Sequence, residues 1–251
     1  MEVHHHSHHP KKWKEYITEF IMLFLAVTLG FLAENIREHQ VVVERKNQNL
    51  EAMVLDLKKD STTLEDLTRF YTIGINNLED MKYTSLQYQN GKISKNDYLD
   101  FVIQKFDNLS IGFGFFQNNS AYKNLIATGG LSVIKSEIIK KLISEYYEEF
   151  GIKLIDNNHL IDQDLSVYLG KTSIFGVGVN HDSSNKIFKI PNKELVEDFK
   201  NNPDFQKSIL NPTFRMYTHK FEFRCGYYLY VLNTCKDMNR KLLKEFEKRD
   251  Y

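Results

Sequence analysis

The sequence predicts an all-α protein: an N-terminal transmembrane helix that continues into a long stalk helix, then an antiparallel helical bundle carrying a small extended or hairpin insertion. Three observations lead there. The stretch from Trp13 to Arg37, WKEYITEFIMLFLAVTLGFLAENIR, is apolar over about the thickness of a bilayer core. Between Gly30 and Gly74 there is neither Gly nor Pro, so nothing breaks the helix where the apolar stretch ends. Large side chains also recur every seven positions in two distant segments: Leu50, Leu57, Leu64, Tyr71, Leu78, and later Phe214, Phe221, Tyr228, Cys235, Leu242. That spacing marks a helix with one buried seam.

Residues 1–12, MEVHHHSHHPKK, read as a disordered histidine-rich tail ended by Pro10. His4, His5, His6, His8 and His9 could hold a divalent metal, although a solvated tail is the simpler reading. The anchor follows over 13–37. From Ile17 to Ala33 only Thr18, Glu19 and Thr28 are polar, and a helix from Tyr16 to Ala33 is about 27 Å long at ~1.5 Å per residue. Trp13 and Tyr16 suit the headgroup layer. A buried core helix would keep a polar stripe, whereas Phe20 to Ala33 is apolar on every face except Thr28. No A-x-A-like site follows, so the segment reads as an uncleaved signal anchor.

Lys11, Lys12 and Lys14 crowd its N-terminal shoulder, while Arg37, Arg45 and Lys46 are sparser on the other side. The positive-inside rule then places the N-terminus in the cytoplasm and the C-terminal domain in the periplasm, across the cell inner membrane. Glu19, one turn inside, reads as a residue that reaches the headgroups or pairs with Lys14 or Lys12 rather than an ion path. Ala26, Gly30 and Ala33 form a small-residue face suited to self-association in lipid.

Residues 38–251 read as the helical soluble domain. In the stalk, Met53, Leu67 and Met81 sit three positions after the leucine set, and Asp60 and Gly74 break that second row. Glu51, Lys58, Lys59, Glu65, Asp66 and Arg69 line the opposite face. The pattern is a coiled-coil-like seam and a second candidate surface for oligomer formation. Asn90-Gly91 closes the helix. Ser94 with Asp97 starts the next, which presents Tyr98, Phe101, Val102 and Phe106 on one face.

Ser110 to Asn119, SIGFGFFQNN, is a loop whose aromatics are expected to plug the core. Its Gly-Phe-Gly lacks the Lys-Ser/Thr of a phosphate loop. A short helix from Ser120 to Leu131 ends on glycine. Another begins near Ser136, carries Ile138, Ile139, Leu142, Ile143, Tyr146, Tyr147 and Phe150, and continues past Gly151 to about Tyr168.

The anchor phrase KKWKEYITEFIMLFLAVTLGFLAENIRE, the leucine-spaced helix and the segment SAYKNLIATGGLSVIKSEIIKKLISEYYE occur in that order, before a long C-terminal helix. In this the chain resembles an uncharacterised family of single-pass membrane proteins with an α-helical soluble domain, widespread in Bacteroidota. The resemblance implies a membrane location and the fold class. It implies no activity.

Around 171–191, KTSIFGVGVNHDSSNKIFKIP changes character, with two apolar runs flanking Asn180 to Asn185, as in a hairpin or extended insertion. His181-Asp182 there reads as part of a turn. Pro191, Pro203 and Pro212 punctuate a short helix around 193–201 and lead into the final helix, Thr213 to about Lys248, on the order of 54 Å long and able to lie along the first long helix. Cys225 and Cys235 lie about 15 Å apart along it, too far for a disulfide, and read as buried seam residues.

Thirty-three basic and 33 acidic residues cancel, and no basic block is interleaved with aromatics, so nucleic acid is not an expected partner. No HExxH, GxSxG, Walker or CxxC motif occurs. Acidic pairs such as Glu148-Glu149 and Asp162 with Asp164 read as solvated faces. Asp156, His159 and Asp162 are spaced to share a helix face and could form a carboxylate–histidine metal site. An enzyme is not expected, and no catalytic, cofactor or metal residue is assigned. The expected role is a single-pass, membrane-anchored interaction, scaffold or sensory module, in contact with lipid and self-associating through span and stalk, with an unidentified protein as a further partner. The alternatives are a divalent-metal-binding membrane protein using the histidine tail, and a metal-dependent hydrolase built on Asp156, His159 and Asp162.

Overall fold

In a computed structural model, residues 12–107, 109, 111, 113–173, 197 and 200–248 are described. They form α1 (Trp13–Gln89), α2 (Lys95–Asp107), α3 (Ser120–Ala127), a 3₁₀ turn (Gly130–Val133), α4 (Glu137–Ser144), a π turn (Glu145–Glu149), α5 (Phe150–Thr172), α6 (Pro203–Leu210) and α7 (Thr213–Glu247). Among the described residues there is no strand, and the fold is all-α. The histidine tail, most of the 171–191 insertion with His181 and Asp182, and most of the 193–201 helix lie outside the described residues.

α1 dominates the molecule. Its 77 residues span about 115 Å at ~1.5 Å per residue. The Glu15 carboxylate accepts from the Lys12 amide at 3.2 Å and closes the first turn. At the other end the Asn90 amide returns to the Leu86 carbonyl (3.1 Å), and Gly91 takes φ +68°, a left-handed conformation that spares it the Cβ clash.

The two halves of α1 live in different surroundings. From Lys12 to Gln40 every residue is exposed except the half-covered Thr28. This part contains the segment long and apolar enough to cross a membrane, and none of the described residues buries it. The bundle takes hold at Lys46, which is itself buried. From there Leu50, Leu57, Leu64, Tyr71 and Leu78 are fully buried, as are Met53 and Met81.

The seam of α1 is covered by the chain's own C-terminal helix. Leu57 meets Asn239 (2.9 Å), Tyr71 packs at a tilt against Tyr228 (4.9 Å between rings), and Lys82 pairs with Glu222. Numbers rise along one helix as they fall along the other, so α1 and α7 run antiparallel. α7 meets α5 in the same sense, through Asn158 with Tyr228, Asp164 with Arg224 and Tyr168 with Phe221. A three-helix core results, in which α1 and α5 run parallel. The coiled-coil-like seam is therefore spent inside one chain and offers no free edge to a second.

The remaining elements close the ends. At the membrane-proximal end α3 and the 3₁₀ turn lie on α1, where Asn49 donates to Thr128 (3.4 Å) and Gly129 turns the chain at φ +69°. At the distal end Tyr98 of α2 stacks on Tyr88 (4.9 Å) and donates to the Ile209 carbonyl of α6 (3.0 Å). Ser94 caps α2 by accepting from the Asp97 amide (3.1 Å), as its spacing predicts. α6 is an addition to the predicted elements: Asn202 accepts from the amides of Asp204 and Phe205, and Pro203 occupies the first turn.

Several side chains depart from expectation. Phe101 and Ile138 turn outward or stay half-covered, and Leu99 and Ile103 are buried on α2 instead. Of the loop aromatics only Phe115 plugs the core, while Phe113 and Phe116 are exposed. The loop backbone is tied down at Phe115 and Asn118. Between α4 and α5 the helix widens into a single π turn. The consecutive Tyr146 and Tyr147 of that turn both face inward.

Candidate functional site

Between Leu50 and Met81 two positions break the two heptad rows of α1, Asp60 and Gly74, and both are buried for a reason. At Gly74 a Cβ would lie 2.1 Å from Cγ1 of Ile111, so the missing side chain is the socket for Ile111. Asp60 is fully buried and accepts three hydrogen bonds. The Asn118 amide (3.1 Å) and its Nδ2 (2.6 Å) donate to Oδ1, and the Tyr146 hydroxyl (2.8 Å) donates to Oδ2. Asn239 of α7 donates to the Tyr146 hydroxyl oxygen (3.3 Å) and to the Leu57 carbonyl (2.9 Å), while Ser61 donates to Asn239 Oδ1 (2.6 Å). One carboxylate thus joins α1, the connecting segment 113–119, the π turn and α7.

No Lys, Arg or His among the described residues pairs with Asp60. Burial pushes its carboxyl above the usual range, and the three donors only partly oppose that. Burial likewise raises the Tyr146 hydroxyl, so it stays a donor, and pushes the neighbouring Cys235 thiol up to about 12. A thiol held that high supplies no thiolate near neutral pH. Asp60, Tyr146 and Asn239 are all buried and line neither of the two large grooves. The arrangement can hold four elements in register; it cannot reach a substrate.

A second clamp lies about three helical turns away, at Tyr228 of α7. The Tyr228 hydroxyl accepts from the Phe115 amide (2.8 Å) and donates to Asn158 Oδ1 (2.5 Å), and Asn158 Nδ2 donates to the Phe115 carbonyl (2.8 Å). Both polar atoms of one buried peptide are satisfied by two side chains from two helices.

The candidate hydrolase residues are not brought together into a site. Asp156, His159 and Asp162 are all exposed on α5, and among the described residues no group of three His, Cys, Asp or Glu could hold a metal. The hydrolase reading is therefore dropped. Asp164 is instead tied to Arg224 (2.7 Å), and Glu148 accepts from the hydroxyls of Tyr122 (2.5 Å) and Ser144 (3.0 Å), which hold its carboxyl below the usual range. Cys225 and Cys235 are free and buried. On the bare part of α1, Glu19, Ala26, Gly30 and Ala33 all lie on uncovered surface, and a Cβ at Gly30 would meet nothing within 4 Å.

Two grooves open on the bundle surface. One, about 560 Å³, lies between α1 and α7 at the distal end, where Lys82, Arg215 and His219 line it beside Tyr83 and Met216. The other, about 510 Å³, lies beside α5 under Phe116, Ile152 and Ile155. The first brings Glu79, Lys82, Arg215 and His219 to one wall, whereas the second is lined mainly by aromatic and aliphatic side chains. Asp60 is the residue the sequence reading passed over, as a flaw in the seam. A lone acid at a heptad position was the available signal. Comparison with protein-family models, with curated proteins and with solved structures gives no match.

Proposed function

We propose that this protein is a single-pass membrane anchor carrying a helical interaction module, with its N-terminal tail in the cytoplasm and its bundle in the periplasm. The observation that carries the reading is the split character of α1. One continuous helix is wholly uncovered and apolar over its first part and is the central member of a closed bundle over its second. An apolar surface of that length is unstable in water and stable in lipid. The lysines at 11, 12 and 14 support the orientation.

A scaffold or sensory role fits a domain whose buried polar network, centred on Asp60, serves to fix geometry. Alkaline extraction of membranes tests the anchor: the full chain should stay in the membrane fraction, and a chain lacking 12–37 should be released. A reporter fused after Tyr251 that is active only outside the cytoplasm tests the orientation, and silence there overturns it. The histidine run favours a second reading, divalent-metal binding by the tail. Equilibrium dialysis with zinc, comparing the full chain with one lacking residues 1–10, separates the two, because equal binding ends the metal reading.

A further inference from the structure

We infer that the outer face of α7, centred on Gly226, is the surface through which two copies of this protein pair side by side in the membrane. The inference rests on the anchored reading above. α7 buries one face against α1 and α5, and its outer face carries Met216 (59% exposed, at the rim of the α1–α7 groove), Phe223 (74%), Tyr227 (48%) and Tyr230 (66%). These lie at i, i+7, i+11 and i+14, the spacing of a second helical seam that none of the described residues covers. Monomeric surfaces scatter large apolar groups singly, whereas here four align.

Two further features single out the same face. From Phe223 to Asn233 every exposed residue of α7 is uncharged, in a chain that is 26% charged. At its centre stands Gly226, in the interior of a 35-residue helix. Glycine there weakens the helix relative to alanine. The monomer gives no reason for it, because a Cβ would meet nothing within 4 Å and the backbone is not left-handed. A second helix crossing closely at that point would use the absent side chain.

The occupant that fits is a second copy. Chains anchored in one bilayer share an orientation, and α7 runs antiparallel to the anchor helix. A two-fold axis along the membrane normal therefore sets α7 against α7 in parallel, with Phe223, Gly226 and Tyr230 each facing its counterpart. Taking ~200 Å² for each full side chain, the four exposed groups remove roughly 1,000 Å² over both copies before flanking contacts are added. That is near the lower bound for a specific interface, and confinement to a membrane raises the effective concentration enough for it to hold.

The full chain in native membranes tests this. With a mild oxidant, Tyr230→Cys should give a disulfide-linked dimer, while Gln163→Cys, exposed on α5, should not. Cys225 and Cys235 are buried and stay silent. In mild detergent the double variant Phe223→Asp, Tyr230→Asp should keep its helical spectrum and associate about tenfold or more weakly. Gly226→Ala should raise the melting temperature of the monomer yet weaken pairing. Equal cross-linking at both cysteines, or unchanged association in the double variant, overturns the inference. So does a wild-type monomer whose double variant loses some other co-purifying protein, which would assign the face to that partner. Membrane retention of the same variants is read separately. Retained chains that never pair remove this inference alone, whereas chains released from the membrane remove the anchored reading.

Discussion

At the residue scale the most informative positions are the two that interrupt the α1 seam. Asp60 is buried with three donors and no cation, so its removal should matter through what it leaves behind. Asp60→Ala strands the Asn118 amide, the Asn118 side chain and the Tyr146 hydroxyl, and should cost about 3–5 kcal/mol in urea melts of the detergent-solubilised protein. Asp60→Asn keeps an acceptor oxygen for Asn118 and should cost far less.

The pair also predicts a pH dependence. Burial raises the folded-state pKa of Asp60, so the folded chain holds this proton more readily than the unfolded one. The stability contributed is full below the ordinary carboxyl value of ~3.9 and is lost as pH rises through the raised folded value. Relative to Asp60→Asn, the wild type should gain stability as pH is lowered from 7 toward 4. A parallel pair of curves would sink that account.

Gly74 and Gly226 make a contrast at the same scale. Both are helical glycines, but a Cβ at Gly74 lands on Ile111 while one at Gly226 enters open space. Gly74→Ala should lower stability by about 1–2 kcal/mol net of the helix-propensity gain, and pairing it with Ile111→Ala should recover most of the loss. A stabilised Gly74→Ala single variant would show that Ile111 moves freely.

At the element scale the connecting segment 113–119 behaves as an internal tie. Its backbone is held at Phe115 by Tyr228 and Asn158, and at Asn118 by Asp60. Tyr228→Phe removes one hydroxyl that both accepts and donates. It should cost about 1–3 kcal/mol and speed hydrogen exchange at the Phe115 amide more than at core amides of α1. Uniform acceleration across the bundle would mean that the segment has no separate anchoring role. The π turn serves the same purpose from the other side, since it aims Tyr146 at Asp60 while Tyr147 stacks on Tyr122 with rings 4.5 Å apart. Heptad spacing made the two long helices and their buried rows legible. The π turn and α6 were not legible in the same way. One depends on a single extra residue within a helical pattern, and the other on an Asn-Pro cap in a proline-punctuated stretch.

At the scale of the whole molecule the continuity of α1 is the defining property. The bundle grips it from Lys46 onward, so a break just before that point should separate the two halves mechanically without unfolding either. Glu44→Pro removes a backbone donor on the exposed part of the helix. It should leave the denaturation midpoint of the bundle nearly unchanged while broadening the distance distribution between spin labels at positions 37 and 58. An unchanged distribution would mean that the junction is held by something other than the helix. The candidate surfaces divide in the same way: the 156–159–162 spacing is real but opens onto solvent, and the polar groups that do converge are sealed inside.

By itself the sequence determined the local and periodic facts: the apolar span, the absence of a helix breaker behind it, and the rows of side chains that must be buried on α1 and α7. These follow from chain-local physics, since helix length, hydropathy and the 3.6-residue turn act over a few residues. Only the tertiary structure decided what covers each row. α7, long enough by sequence to lie along the first long helix, is packed by the structure into the α1 seam, and Asp60 is made tolerable by donors 58 and 86 residues away. Periodicity states that a face must leave water. It carries no information about which distant segment will meet it, because that choice is made by the simultaneous packing of the whole bundle.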